Sequence, residues 1–154
     1  MKDLNKKVAL VTSATRGIGL ASAIKLAQRG ATVYMGVRRM EATQEICDTY
    51  AKEGLVMKPV FFDAFNLDSY KTMVESVIKE AGKIDILVNN AGITRDGLIM
   101  KMSEEDFDAV IETNLKGCFN TIRHLSRQML KQRSGKIINI SSVSGVLGDV
   151  GQAN

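Results

Sequence analysis

Short runs of consecutive apolar residues alternate along this chain with longer stretches whose apolar residues recur every three or four positions. Lys7-Val8-Ala9-Leu10-Val11-Thr12 reads as a strand. Leu20, Ala23, Ile24 and Ala27 follow at i, i+3, i+4 and i+7, one face of a helix, and Gly30 closes it. Residues 31–37 form a second β-rich run. Thr43, Ile46, Cys47, Tyr50 and Ala51 give a second helical stripe, stopped by Gly54. Residues 56–62 predict a third strand, and its Pro59 lacks the N–H a central strand needs, so this strand belongs at an edge. Tyr70, Met73, Val74, Val77, Ile78 and Ala81 form the cleanest stripe, ended by Gly82. Residues 84–88 predict a fourth strand. Ser103 and Asp106 then have the spacing of a weak capping box. Phe107, Val110, Ile111, Leu115, Cys118, Phe119, Ile122, Leu125 and Met129 extend one long helix to about Arg133. Residues 136–141 predict a fifth strand, and 142–154 show neither period.

Strand and helix alternating in units of about 25–30 residues predict right-handed βαβ crossovers and a parallel sheet. The strands are apolar on both faces, so helices are expected on both sides. The expected fold class is α/β, a Rossmann-like doubly wound sheet of strand order 3-2-1-4-5, formed as one domain over 1–154. Pro59 on the outermost strand agrees with that order. Ligands of such sheets sit at the carboxyl ends of the strands flanking the order reversal, here the first and fourth.

Composition narrows the function classes. Gly is 13, Pro 1 and Cys 2 in 154 residues, which excludes collagen and disulfide scaffolds. No apolar run approaches the ~20 residues of a membrane helix, and the early VALV run is too short for a signal peptide. A cytoplasmic protein is expected, with no membrane partner. The net charge of +4 is spread along the chain without a basic stripe, so no nucleic-acid partner is expected. Cys47 and Cys118 lack a CxxC context and read as small buried hydrophobes. His124 has no second ligand nearby, so no metal is expected.

The first strand runs straight into Thr12-Ser13-Ala14-Thr15-Arg16-Gly17-Ile18-Gly19 and then the helix. A helix N-terminus presents unpaired N–H groups and the positive end of its dipole, so a pyrophosphate fits there. Gly17 and Gly19 remove side chains where backbone must approach closely. No GK[ST] follows, which excludes a P-loop. Read without a ligand, the segment is a tight glycine turn and no more. An acid about 20 residues on would take the ribose hydroxyls of NAD. This chain has Gly36-Val37-Arg38-Arg39 instead. A guanidinium grips a 2′-phosphate that a carboxylate would repel, and Arg16 in the turn can reach the same group, so NADP(H) is the expected cofactor. The competing reading makes Arg38 and Arg39 solvated loop charges.

The segment TSATRGIG resembles the TGxxxGxG turn of the short-chain dehydrogenase/reductase family, with Ser13 in place of the first glycine. A serine is expected to fit that turn only with negative φ. Asp63-Ala64 after the third strand resembles the family's adenine-contacting site, and Asn89-Asn90-Ala91-Gly92 its NNAG motif. The resemblance implies cofactor contacts at Ser13, Ala14, Thr15, Arg16, Gly17, Ile18, Gly19, Arg38, Asp63, Ala64, Asn90, Ala91 and Gly92. Asn114, on the stripe of the long helix, is an amide on an expected buried face that must find partners. By itself it is a satisfied structural Asn; in the family its counterpart helps hold a water in the proton relay. Ser141 and Ser142 could simply end the fifth strand. The resemblance makes Ser142 the catalytic serine, polarising a carbonyl. The family's Tyr-x-x-x-Lys pair would begin just past Asn154, and Tyr34, Tyr50 and Tyr70 lie on other elements. The chain is therefore expected to be the N-terminal part of a reductase, short of the last strands and inactive alone.

Residues 8–90 resemble hydroxysteroid dehydrogenases of the family, and NNAGITRDGLIMKMSEEDF with SSVSGVLGDVGQAN resembles its 3-oxoacyl-(acyl-carrier-protein) reductases. The second segment is nearer the substrate. The resemblance thus implies NADPH-dependent reduction of a ketone, foremost a 3-oxoacyl thioester carried on acyl carrier protein, within a homo-oligomer. A steroid ketone reductase and a non-catalytic NADP-binding module remain open.

Overall fold

The computed structural model describes residues 3–154. Five parallel strands form one sheet: β1 (Val8–Thr12), β2 (Thr32–Val37), β3 (Met57–Phe61), β4 (Ile86–Asn89) and β5 (Lys136–Asn139). Their order is β3-β2-β1-β4-β5, as the alternation of elements predicts. Pro59 lies on edge strand β3, opposite Met35 of β2, where its missing N–H costs no inner ladder bond.

The period of two along β1 divides the core. Val8 and Leu10 face one side with Tyr34, Leu87, Val60 and Phe62. There they meet Tyr70, Met73, Val74 and Val77 of α3 (Leu67–Ala81) and Leu125 and Met129 of α5 (Gly117–Gln132). Ala9 and Val11 face the other side with Val33, Met35, Ile86 and Val88. Ala23 and Ala27 of α1 (Gly17–Gln28) and Cys47 of α2 (Met40–Ala51) cover them. Alternate residues of one buried strand thus anchor both helical layers. Gly82 adopts the left-handed conformation, φ 76°, and its N–H closes α3 on the Ile78 carbonyl at 2.8 Å.

Four expectations need correction. The helix predicted to run unbroken to Arg133 is α4 (Glu104–Val110), a π-helical segment (Ile111–Lys116) and α5. Its buried stripe is Val110, Thr113, Gly117, Asn120, Thr121, Leu125 and Met129. Leu115 and Phe119 point outward instead, 65% and 59% exposed. The reason is close approach: a Cβ on Gly117 would stand 2.8 Å from the Tyr70 hydroxyl, so the turn around Gly117 has no room for a large side chain. Second, β5 ends at Asn139 and is exposed along its whole length, so helices do not cover both faces of this strand. Third, residues 142–154 contain a short helix, α6 (Ser144–Leu147). Fourth, Ser103 caps α4 by accepting the Asp106 N–H at 3.1 Å, but the Asp106 carboxylate lies by Arg95 at 3.6 Å rather than completing the box.

Candidate functional site

The crevice begins where β1 ends. Ser13 N–H donates to the Gly36 carbonyl at 2.8 Å, carrying the ladder one residue past the strand. The chain then turns with φ 54° at Ser13 and again 54° at Gly17. The expectation of negative φ at Ser13 is therefore wrong: the serine holds the left-handed conformation, at a cost of order 1–2 kcal/mol that the surrounding bonds must offset. Those bonds come from the exit of β4. Thr12 Oγ1 accepts N–H donors from Asn90 and Ala91, at 2.9 and 3.0 Å. Asn90 Nδ2 donates to the carbonyls of Thr12 and Ser13, 3.1 Å each. A Cβ on Gly19 would lie 2.4 Å from Asn90 Nδ2 and 2.7 Å from the Ser13 carbonyl oxygen. Glycine at 19 is what lets the two loops touch. Ala14 is fully buried beneath this junction, while Thr15, Arg16, Gly17 and Ile18 are exposed along its rim.

No side chain caps α1, and no acid stands in its first turn. By contrast α3 has Asn66 as its cap with Asp68 beside it, and α4 has Ser103 followed by three acids. The first N–H groups of α1 are left free for an outside acceptor.

The exits of β2 and β3 lie side by side. Val37 pairs with Phe61, and Phe62 N–H donates to the Val37 carbonyl at 2.9 Å. This brings exposed Arg38 next to the loop holding Asp63 and Ala64, both half-buried. Asp63 N–H donates to Ser69 Oγ at 2.7 Å, and Ala64 O accepts the Tyr70 hydroxyl at 2.9 Å.

On the other flank, Asn89 pairs with Asn139, and Asn89 Nδ2 donates to Asn139 Oδ1 at 2.9 Å. Gly92 and Ser142 each follow that pair by three residues, so both leave the same edge of the sheet. Ser142 is exposed, and its Oγ accepts the Ser144 N–H at 3.2 Å, which leaves its hydroxyl proton free to donate. Asn114 is exposed, not buried as the stripe predicted, because the π-helical segment carries it out of the helix's buried face. Its amide reaches the loop after β4: Oδ1 accepts Ile93 N–H and Nδ2 donates to Ile93 O, both at 2.9 Å.

Residues 7–154 match the sequence model of the short chain dehydrogenase family. The chain belongs to that family of oxidoreductases. It is 56% identical over 146 residues to a 7alpha-hydroxysteroid dehydrogenase of Paraclostridium sordellii, covering 93% of this chain and 55% of that protein. It is 47% identical over 155 residues to the 3-oxoacyl-(acyl-carrier-protein) reductase FabG of Thermotoga maritima, covering 98% of this chain and 61% of that one. A gluconate 5-dehydrogenase from Burkholderia cenocepacia, solved in complex with NADP and tartrate, superposes with a TM-score of 0.92 at 34% identity. That match covers 99% of this chain and 60% of the other. The chain spans less than two thirds of each of these relatives.

Short-chain dehydrogenases use nicotinamide cofactors, and the residues present fit one. The uncapped, acid-free start of α1 and the gap kept open at Gly19 suit a pyrophosphate. The chain's three tyrosines lie on β2, α2 and α3, not at the exit of β5. Tyr34 is three strands from β5, about 14 Å at ordinary strand spacing. Tyr50 is on α2, on the opposite side of the sheet from α5. Burial, then the charges of Cys118 and Asp63, pushes Tyr70 up to about 12, so it stays a neutral donor to Ala64. Burial also raises both thiols, Cys47 to about 11, so neither is a ready nucleophile.

Two features had no sequence signal. Gly97 N–H donates to the Gly151 carbonyl at 2.7 Å, and Asn154 Nδ2 to the Arg95 carbonyl at 2.8 Å. These bonds latch the loop after β4 to the segment after β5. A pair of glycines in two loops gives no warning of this; only the parallel bridge at Gly97 and Gln152 reveals it.

Proposed function

We propose that this chain is the NADPH-binding part of a short-chain ketone reductase. The observation that carries the reading is the α1 N-terminus, uncapped and acid-free, with Arg16 on its rim and Arg38 at the neighbouring strand exit. In this reading the N–H groups of Arg16 to Gly19 receive the pyrophosphate. Ser13, Ala14 and Thr15 shape the turn, and Arg38 with Arg16 takes the 2′-phosphate. Asp63 and Ala64 border the adenine. Asn90, Ala91 and Gly92 lie against the nicotinamide half. NADPH supplies the hydride when bound. The Ser142 hydroxyl would donate a hydrogen bond to the substrate carbonyl oxygen, stabilising the charge that develops there. Asn114 holds the loop after β4 and keeps one amide hydrogen for a water. Tyr34, Tyr50 and Tyr70 lie on β2, α2 and α3, away from the exit of β5, so none of them is the relay proton donor in this reading.

The substrate in this reading is a 3-oxoacyl thioester, presented on acyl carrier protein in the cytoplasm. Leu98, Ile99 and Met100, exposed on the loop leaving β4, offer an acyl chain apolar surface. The 56% identity to a 7alpha-hydroxysteroid dehydrogenase favours a second reading, a steroid ketone. The outward face of Leu115, Phe119 and Leu130 supports a homo-oligomer.

Fluorescence titration of this chain with NADPH and NADH tests the cofactor. Tighter NADPH binding supports the reading, and equal or absent binding contradicts it. NADPH oxidation by the protein, using acetoacetyl thioester and a bile-acid ketone, separates the two substrates. No oxidation with either rejects both.

A further inference from the structure

We propose that Phe65 is a positioning residue for Arg38, its ring holding the guanidinium at the mouth of β2 and β3 where the 2′-phosphate is gripped. The proposal rests on the NADPH reading above. Arg38 Cζ stands 5.9 Å from the centroid of the Phe65 ring, within the ~6 Å reach of a cation–π contact. Phe65 is 60% exposed and belongs to neither core cluster, so packing does not account for it. Its loop is nevertheless fixed. Phe65 N–H donates to Asp63 Oδ1 at 3.1 Å, and Asn66 N–H to Asp63 O at 3.1 Å. Asn66 Oδ1 in turn caps α3 by accepting Asp68 N–H at 3.0 Å, and Asp63 N–H is held by Ser69 Oγ. The backbone that carries the ring is thus held in place beside Arg38.

The other partner is unclaimed. Among the described residues no carboxylate lies within 4.0 Å of the Arg38 guanidinium. The nearby carboxylate, Asp63, is turned to the Phe65 N–H. An arginine free in solvent loses side-chain entropy when it closes on a phosphate. Held against the ring, it has lost part of that freedom already, and no ion pair among the described residues occupies its N–H donors. Phe65 therefore raises selectivity for a 2′-phosphorylated dinucleotide without touching the phosphate.

Binding of NADPH, NADH and adenosine 2′,5′-bisphosphate to Phe65→Ala, Phe65→Tyr, Arg38→Ala and the Arg38→Ala/Phe65→Ala double variant tests this. Phe65→Ala is expected to weaken both 2′-phosphorylated ligands roughly two- to fivefold and to leave NADH unchanged. Phe65→Tyr should keep the wild-type ratio, and the double variant should bind as Arg38→Ala does. Equal weakening of NADPH and NADH by Phe65→Ala would overturn the proposal, because the ring would then stack on adenine or merely support the loop. So would the full Phe65 effect persisting without Arg38. If Arg38→Ala lowers the NADPH preference and Phe65→Ala does not, this proposal alone fails. If Arg38→Ala leaves the preference intact, the NADPH reading fails with it.

Discussion

The two ends of the sheet solve opposite problems. At the amino end, Asp85 is nearly buried, its side chain 8% exposed, and it is fully engaged. It accepts the Val8 N–H at 2.9 Å and faces the ammonium groups of Lys83 and Lys7 at 2.9 and 3.3 Å. Burial disfavours its charge, but that hydrogen bond and the two lysines outweigh it and hold the carboxyl below its ordinary range. At the carboxyl end, α1 starts with free N–H groups, Ser13 is strained, and Arg38 has no ion pair among the described residues. One end spends its polar groups on stability. The other keeps them unpaired, which costs stability and leaves donors for a ligand.

Substitutions on the two ends should therefore weigh differently on folding and on binding. The largest effect is expected from Gly19→Ala. Its Cβ must displace Asn90 or the Ser13 backbone, costing about 1–3 kcal/mol and most of the NADPH affinity together. Thermal melts and titration would read both. Arg38→Asp with Arg16→Ala should weaken NADPH at least about tenfold while melting temperature holds, since charge-assisted bonds to the phosphate are worth roughly 1.5–3 kcal/mol. Unchanged relative affinity for NADPH and NADH would place the selective group elsewhere.

Asp85→Ala should do the reverse. It leaves the Val8 N–H unpaired, costing about 1–3 kcal/mol in urea unfolding, with the NADPH-to-NADH ratio unchanged. Because the folded carboxyl titrates below its unfolded value near 3.9, its contribution is complete above that pH. It is lost as pH falls through the depressed folded value. Stability curves of wild type and Asp85→Ala should converge on acidification. A constant gap would show that Asp85 acts by packing alone. The smallest effect is Ser13→Gly, which relieves the left-handed strain and should stabilise by about 0.5–1 kcal/mol. A loss of stability there would mean the serine side chain contributes more than its backbone costs.

Most of the scaffold is legible because strand and helix carry different periods, and Gly30, Gly54, Gly82 and Pro59 punctuate them. The apolar run of β1 and the stripe from Tyr70 to Ala81 land on the two sides of the core as their patterns require. The glycine turn and the basic exit of β2 are equally readable, since their chemistry is local in sequence. The failures share a cause. Leu115 and Phe119 look like core because hydrophobicity does not report a π-helical register or the closeness of Tyr70. Asn114 inherits the same error. Ser13 reveals its φ only through bonds from Asn90, which is distant in sequence. Phe65 against Arg38 and Gly97 against Gly151 are likewise meetings between loops, made by the parallel sheet and invisible along the chain.

The donors left free at the carboxyl end of the sheet are where NADPH is expected to bind. Amide NMR of this chain during NADPH titration tests this most directly. Saturable shifts are expected, largest at Arg16 to Gly19 and at Arg38, with the amides of Val8 and Asp85 unmoved. Shifts that are absent from residues 16–19, or centred on Val8 and Asp85, would contradict it.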